Sequence, residues 1–151
     1  MEPRIKRPDQ CSPEDLDEFE DLIIEGGEVS PVGLRRRIEA AEHLVFVGNQ
    51  PLLAVGAVKN PNPGYKQSVF EKADVPELSD NFAYELGWLY ASPDARGKGV
   101  GNILMKAALE ASGESGIFAT TRANNHAMHY LFDKFSFEKL GSDYPSKHGD
   151  Y

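Results

Sequence analysis

Tyr84–Gly101 reads YELGWLYASPDARGKGVG, and the order of its parts decides the fold. Phe82–Ala91 has the aromatic, apolar composition of a strand. Ser92-Pro93-Asp94 breaks it. A helix follows from about Gly99 to Ser112. Its apolar residues Val100, Ile103, Leu104, Ala107, Ala108 and Ala111 fall at i, i+3, i+4, i+7, i+8 and i+11 without a miss. Between strand and helix lies Arg96-Gly97-Lys98-Gly99-Val100-Gly101. Alternate glycines let a backbone approach a ligand and turn its N–H groups inward. The helix start adds free N–H groups and partial positive charge, and Arg96 and Lys98 add full charges. The combination is a site for a phosphate or pyrophosphate. It is not a P-loop, because Lys98 is followed by Gly99 rather than Ser or Thr. It is not a dinucleotide fingerprint, because the spacing is G-x-G-x-G and no acid stands near Thr120–Thr121.

Outward from this stretch the pattern stays mixed. Ile117–Thr120 reads as a short buried strand. Asn124 or Asn125 caps a helix carrying Ala127, Met128, Leu131, Phe132 and Phe135 on one face, and Phe137–Leu140 reads as a last strand. Upstream, Arg4–Arg7 reads as a short first strand. Ser12-Pro13-Glu14-Asp15 is a helix start with Ser as N-cap, Pro at the first position and acids facing the positive helix end. Leu16, Phe19 and Ile23 follow, and Gly26-Gly27 stop that helix. Ser30-Pro31 starts a second helix running to about Glu42, with Leu34, Ile38 and Ala41 on one face. Leu44–Val47 and Leu52–Val58 form a hairpin. Residues 59–81 read as a long insertion with one helical turn over Ser68–Ala73; a loop of that length is either a functional lid or a surface elaboration. The order β, α, α, β, β, β, α, β, α, β gives six strands and four helices. That is an α/β domain with a mixed (α+β) sheet, whose two strand–helix–strand units favour parallel pairing.

Composition bounds the rest. The chain has 151 residues, one domain's worth over residues 1–151. No apolar run approaches the ~20 residues of a membrane helix, and the N-terminus lacks the apolar core of a secretory signal. A single cysteine, Cys11, excludes an internal disulfide and fits the reducing cytoplasm. His126 and His129 stand at i, i+3 without a third ligand, so no metal is expected. The net charge is −8, which argues against nucleic acid as a partner. Residues 9–28 hold nine acids and no Lys or Arg, leaving 15 acids against 16 bases elsewhere. Such a face either attracts a cationic substrate or is a solvated surface.

Arg96, Gly99 and Gly101 match the coenzyme A loop of the GNAT acetyltransferases, R/Q-x-x-G-x-G/A, in the context that family places it. Tyr84–Gly101 resembles the family's fourth strand, its Pro-containing turn and that loop. Asn125–Phe137 (NHAMHYLFDKFSF) resembles the late motif N-x-x-A-x-x-L-Y-x-K-x-G-F, matching at Asn125, Leu131, Lys134 and Phe137 and departing at Met128, Phe132 and Ser136. About a third of the chain carries the specific resemblance.

The resemblance implies a GNAT-like acyl-CoA N-acyltransferase fold whose fourth and fifth strands splay apart. It implies acetyl-CoA as acyl donor, with pantetheine against the backbone of Leu89, Tyr90 and Ala91. The pyrophosphate would sit on Gly97, Lys98, Gly99, Val100 and Gly101 beside Arg96, with Asn125 and Phe132 on the coenzyme arm. It implies attack by a primary amine in a ternary complex. An alkyl amine titrates near pH ~10, so a base must take a proton. Glu85 is the candidate; the plain alternative is a solvent-facing or cation-paired acid. On a regular strand Glu85 shares a face with Gly87, Leu89 and Ala91, while Tyr84, Leu86, Trp88 and Tyr90 face the core. The tyrosine that protonates the leaving thiolate in many members is Phe132 here. Tyr130 lies about 200° round the helix from it, so Tyr90, Tyr144 or water takes that role; Tyr90 is the catalytic candidate. Arg122 is placed to contact substrate, coenzyme or its own loop. By this resemblance a seventh strand is not expected, so the sheet edge is left open, filled by a homodimer partner or capped by residues 141–151. The acidic first helix favours a cationic acceptor such as a polyamine, aminoglycoside or lysine-bearing peptide. A non-catalytic acyl-CoA-binding module is the alternative, motivated by Phe132 and the missing strand.

Overall fold

Two apolar runs, each with two valines, build the centre of the sheet. In the computed structural model, which describes residues 2–146 and 149–151, these are β2 (His43–Val47) and β3 (Ala54–Lys59). They pair antiparallel, with Phe46 opposite Val55 and Leu44 opposite Ala57. β1 (Pro3–Lys6) pairs antiparallel with β2, and β4 (Tyr84–Ala91) antiparallel with β3. β5 (Ile117–Phe118) pairs parallel with β4, giving the order β1-β2-β3-β4-β5.

Successive strand residues point to opposite faces, so each face takes half of every strand. Val45, Val47, Val58 and Leu86 pack with Leu104, Met105 and Ala108 of α4 (Val100–Ser112). Leu44, Phe46, Val55 and Ala57 pack with Phe19 and Ile23 of α1 (Pro13–Gly26) and with Leu34 and Ile38 of α2 (Leu34–Glu39). This is the mixed α/β architecture the sequence indicates, with both faces of the central strands covered.

The helix ends follow their caps. Ser12 Oγ accepts from the Asp15 amide at 3.1 Å and Asp15 Oδ2 accepts from the Ser12 amide at 3.2 Å, so two orphan donors are satisfied reciprocally. Gly27 ends α1 at φ 74. α2 is shorter than expected, starting at Leu34 instead of Ser30-Pro31. Gly33 precedes it at φ 69, and Arg37 Nη2 donates to Ser30 O (2.7 Å) and Val32 O (3.3 Å), fixing residues 30–33 as a turn.

Three sequence expectations need correction. Residues 59–81 contain α3 (Pro63–Lys72) and a 3-10 turn over Pro76–Asn81, not one helical turn. Asn62 Oδ1 accepts from the Gly64 and Tyr65 amides, and Phe70 stacks on Phe82 and meets Phe118 edge-on, which docks α3 to the sheet. The described residues therefore hold five α-helices where four were expected. Phe137–Leu140 is not a strand. After α5 (His126–Lys134) the chain reverses at Ser136, φ 63. The Phe137 amide then bonds Phe132 O, and Phe137 packs on the Phe132 ring at 5.1 Å. The Ser142 amide bonds Ala73 O, tying this segment to the end of α3 instead of to β5. Finally, the chain closes with β6 (Pro145–Ser146) and β7 (Gly149–Asp150), a separate antiparallel hairpin held to the Ala123 amide through Asp150 O at 2.7 Å. The main sheet thus has five strands. Among the described residues no helix is long and apolar enough to cross a membrane.

Candidate active site

β4 is not regular, and its irregularity sets the site. Gly87 lies opposite Ala57, but Tyr90 lies opposite Val55, so β4 spends three residues where β3 spends two. Trp88 occupies the bulge at φ 52, a left-handed value that a bulky side chain rarely adopts. Beyond it the faces swap. Leu89 and Ala91 join Tyr84 and Leu86 on the α4 side, while Trp88 and Tyr90 pack with the α1 and α2 core. Glu85 therefore shares its face with Trp88 and Tyr90, and not with Leu89 and Ala91 as a regular strand would have it. Trp88 is held by Phe19 edge-on at 6.3 Å, and Lys59 Nζ stands 4.5 Å from the centre of its ring.

On its other side β4 pairs with β5 only at Tyr84–Ile117 and Glu85–Phe118. Among the described residues no strand lies beside that edge beyond Glu85, and Leu86–Tyr90 line a cleft of about 1080 Å³. Glu85, Leu89 and Tyr90 line it from β4, Tyr65 from α3, Asn125 and Phe132 from the α5 region, and Tyr144 from the start of the hairpin. Arg96–Gly101 lies outside this lining, at the start of α4.

The glycine loop has the form its sequence indicates. Gly97 and Gly99 sit at φ 80 and 72, and a Cβ on either would meet open space. Their dihedrals, not crowding, demand glycine. Among the described residues the amides of Gly97, Gly99, Val100 and Gly101 have no backbone acceptor. The first turn of α4 has neither a side-chain cap nor an acid. Arg96 and Lys98 are exposed and without carboxylate partners there. Val100 is buried and anchors the helix, and Gly101 passes under Leu131, which would lie 3.0 Å from an added Cβ.

Glu85 is 4% exposed. Its Oε2 accepts from the Tyr65 hydroxyl at 2.7 Å. Lys59 Nζ lies 3.5 Å from Oε1, an ion pair without hydrogen-bond geometry, so Oε1 is buried with no hydrogen-bond partner. Burial first, and the Glu85 charge second, push the Tyr65 phenol far above its usual range, and the Tyr144 phenol is raised for the same two reasons. Two protonated phenols therefore stand near one carboxylate. Tyr65 escaped the sequence reading because it sits in the supposed insertion; the Asn62-Pro63 helix start was its signal.

The other expected residues, Tyr90, Asn125, Phe132 and Arg122, line the same cleft but are engaged differently. Tyr90 donates its hydroxyl to Glu25 Oε2 at 2.9 Å, towards α1. Burial first and that bond second raise its pKa. Asn125 Oδ1 caps α5 by accepting from the Met128 amide at 3.2 Å, which leaves Nδ2 for a ligand. Phe132 reaches the cleft, while Tyr130 is 68% exposed on another face, as its spacing indicates. Arg122 pairs with Glu28 at 2.6 Å. The acids of residues 9–28 are largely partnered: Asp15 with Lys6 at 3.0 Å, Asp17 and Glu20 with Arg35, Glu25 with Tyr90 and Glu28 with Arg122. Lys6, Arg35 and Arg122 thus offset part of the acidic field expected to draw a cation.

A splayed β4–β5 pair beside an uncapped, glycine-led helix start is the architecture implied by the Tyr84–Gly101 stretch. The acetyltransferase (GNAT) family model matches residues 12–137. The chain belongs to the GNAT acetyltransferase family. Solved GNAT-type structures superpose over nearly the whole chain. An acyl-CoA N-acyltransferase from Pseudomonas aeruginosa is similar at TM-score 0.72 and 15% identity, covering 99% of this chain and 94% of its own. Escherichia coli ElaA is similar at TM-score 0.69 and 15% identity, covering 99% and 95%. A GNAT family acetyltransferase from Streptococcus agalactiae is similar at TM-score 0.64 and 15% identity, covering 98% and 91%. These identities speak to the fold. No curated protein matches the sequence. GNAT proteins transfer acyl groups from acyl-CoA, and this chain is an acyltransferase of that family.

Proposed function

We propose that the protein moves an acetyl group from acetyl-CoA to a primary amine by direct attack in a ternary complex. The observation that carries this reading is Glu85 Oε1: a buried carboxylate oxygen without a hydrogen-bond partner, lining the cleft beside the open edge of β4. The thioester supplies an acyl carbon activated for attack. The backbone of Leu89, Tyr90 and Ala91 pairs with the pantetheine amides. The free amides of Gly97, Gly99, Val100 and Gly101, with the Arg96 and Lys98 side chains, hold the diphosphate. Asn125 Nδ2 and the Phe132 ring flank the coenzyme arm.

Glu85 Oε1 accepts an N–H of the amine and then its proton, freeing the lone pair to form the N–C bond as the C–S bond breaks. Tyr65 and Lys59 hold the carboxylate in place. Tyr90 is a poor proton donor to the thiolate, because its hydroxyl is engaged by Glu25. Tyr144 suits that step better: it lines the cleft, makes no side-chain hydrogen bond among the described residues, and keeps its proton through burial.

The test is a melting series with acetyl-CoA, free CoA and ATP. A ligand at ~100 times its Kd stabilises by about 2.7 kcal/mol, a rise of roughly 5–10 °C at this size. Acetyl-CoA and CoA are expected to produce it and ATP is not; no shift with any of them overturns the reading. Gly99→Ala removes the left-handed residue that opens the loop. Strain of ~1–2 kcal/mol, relieved by turning an amide away from the ligand, weakens acetyl-CoA binding about tenfold, which calorimetry measures directly.

A further inference from the structure

Four side-chain atoms among the described residues are buried without a hydrogen-bond partner: His43 Nδ1, Glu85 Oε1, Asn102 Oδ1 and Arg122 Nε. Two of them belong to residues lining the same cleft. One is an acceptor, Glu85 Oε1, and the other a donor, Arg122 Nε–H. A buried polar group left unpaired is costly, so each one marks a place where a partner is missing. The mechanism above gives Glu85 Oε1 to the amine and leaves Arg122 Nε unexplained.

The charges of the lining point the same way. Glu85 is matched by Lys59 and Glu28 by Arg122. Arg37 and Lys72 also line the cleft, and neither has a carboxylate partner among the described residues. Arg37 is fixed there by its bonds to Ser30 O and Val32 O. A chain of net charge −8 thus keeps a net positive lining in this cleft. A polyamine entering it gains one carboxylate and meets two unmatched cations. A guanidinium N–H held in place instead fits a carboxylate oxygen by charge and by direction.

We infer that the acceptor amine also carries a carboxylate, and that Arg122 receives it through Nε–H while Glu85 receives the amine. This rests on the acetyl-transfer reading of Glu85 but adds a substrate class to it. Arg37 and Lys72 add the field that draws an anionic group into the cleft. The first helix's acids, expected to favour a cationic acceptor, do not line the cleft and so do not oppose it.

The experiment uses straight-chain amino carboxylates of graded length, each with its carboxamide and its diamine counterpart. Two readouts are taken: thiol release with acetyl-CoA, and the melting shift of the CoA-loaded protein. The carboxylate of best length is expected to exceed its carboxamide and diamine by about tenfold or more in kcat/KM, the effect of one charge-assisted contact. Arg122→Gln closes that gap, and Arg37→Gln narrows it; two variants on separate elements guard against one failing to fold. If the diamine or the carboxamide does as well as the carboxylate, the inference is overturned and the acetyl-transfer reading stands. If no amine is acetylated but the carboxylates alone shift the melt, and Arg122→Gln abolishes the shift, the carboxylate site stands and the acetyl-transfer reading falls. Absence of discrimination in both readouts overturns the inference.

Discussion

Glu85→Gln is expected to leave acetyl-CoA binding intact and to lower kcat by about 10²–10⁴-fold, the range for loss of a positioned base. Glutamine has the same length and still accepts from the Tyr65 hydroxyl, so the cleft keeps its shape. It cannot take a proton from an ammonium. The coenzyme contacts proposed above, the β4 edge beyond the bulge and the free amides of the glycine loop, are away from the substituted group, so KM for acetyl-CoA is expected to hold. Steady-state thiol release in wild type and variant, with calorimetric Kd values for CoA, measures both. Full turnover in the variant would reduce Glu85 to the ion-pair partner of Lys59. A wild type that binds acetyl-CoA but never releases thiol with any amine would favour a binding module, for which Phe132 in the usual tyrosine position is the supporting observation.

The parts of this site legible in the sequence are those where local chemistry decides. Gly97 and Gly99 announce left-handed backbone, the α4 stripe announces a buried face, and Ser12-Pro13-Glu14-Asp15 announces a cap; each is found where its pattern puts it. The misses come from non-local terms. Alternation along Tyr84–Ala91 assumes one residue per step, and the bulge at Trp88 breaks that count. Trp88 carries no sequence mark of a positive φ; its conformation is held by packing on Phe19 and Lys59, residues far away in the chain. α3 was hidden because only Phe70 of its residues is buried, so it lacks a hydrophobic stripe. Phe137–Leu140 has a strand's composition but no strand beside it, and pairing, not propensity, makes a strand. The acidic run at residues 9–28 shows nothing in sequence of the cations that folding brings to it, Lys6, Arg35 and Arg122.

Phe19→Ala is expected to have the largest effect on stability, and to reach the site as well. Phe19 is 0% exposed and meets Phe46 edge-on at 5.3 Å and Trp88 at 6.3 Å. Truncating a buried phenylalanine costs about 3–5 kcal/mol, transfer and cavity together. At this size that lowers Tm by roughly 10 °C, which a calorimetric melt reads. The loss is not confined to the core. Trp88 adopts its positive φ against a local cost of ~1–3 kcal/mol that its surroundings must offset, and Phe19 is one of the two contacts that hold its ring. With Phe19 gone, β4 can relax towards regular pairing. That shift would return Trp88 to the opposite face and slide Leu89–Ala91 out of register with β3. Lys59 would lose the ring beneath its ammonium, and Glu85 the cation that faces it. The variant should therefore lose kcat/KM at temperatures where it remains folded, whereas Ile38→Ala, in the same core but without an aromatic contact to Trp88, should lose stability while keeping activity. Equal activity per folded molecule in both would show that the bulge is held by β4 itself and not by the packing beneath it.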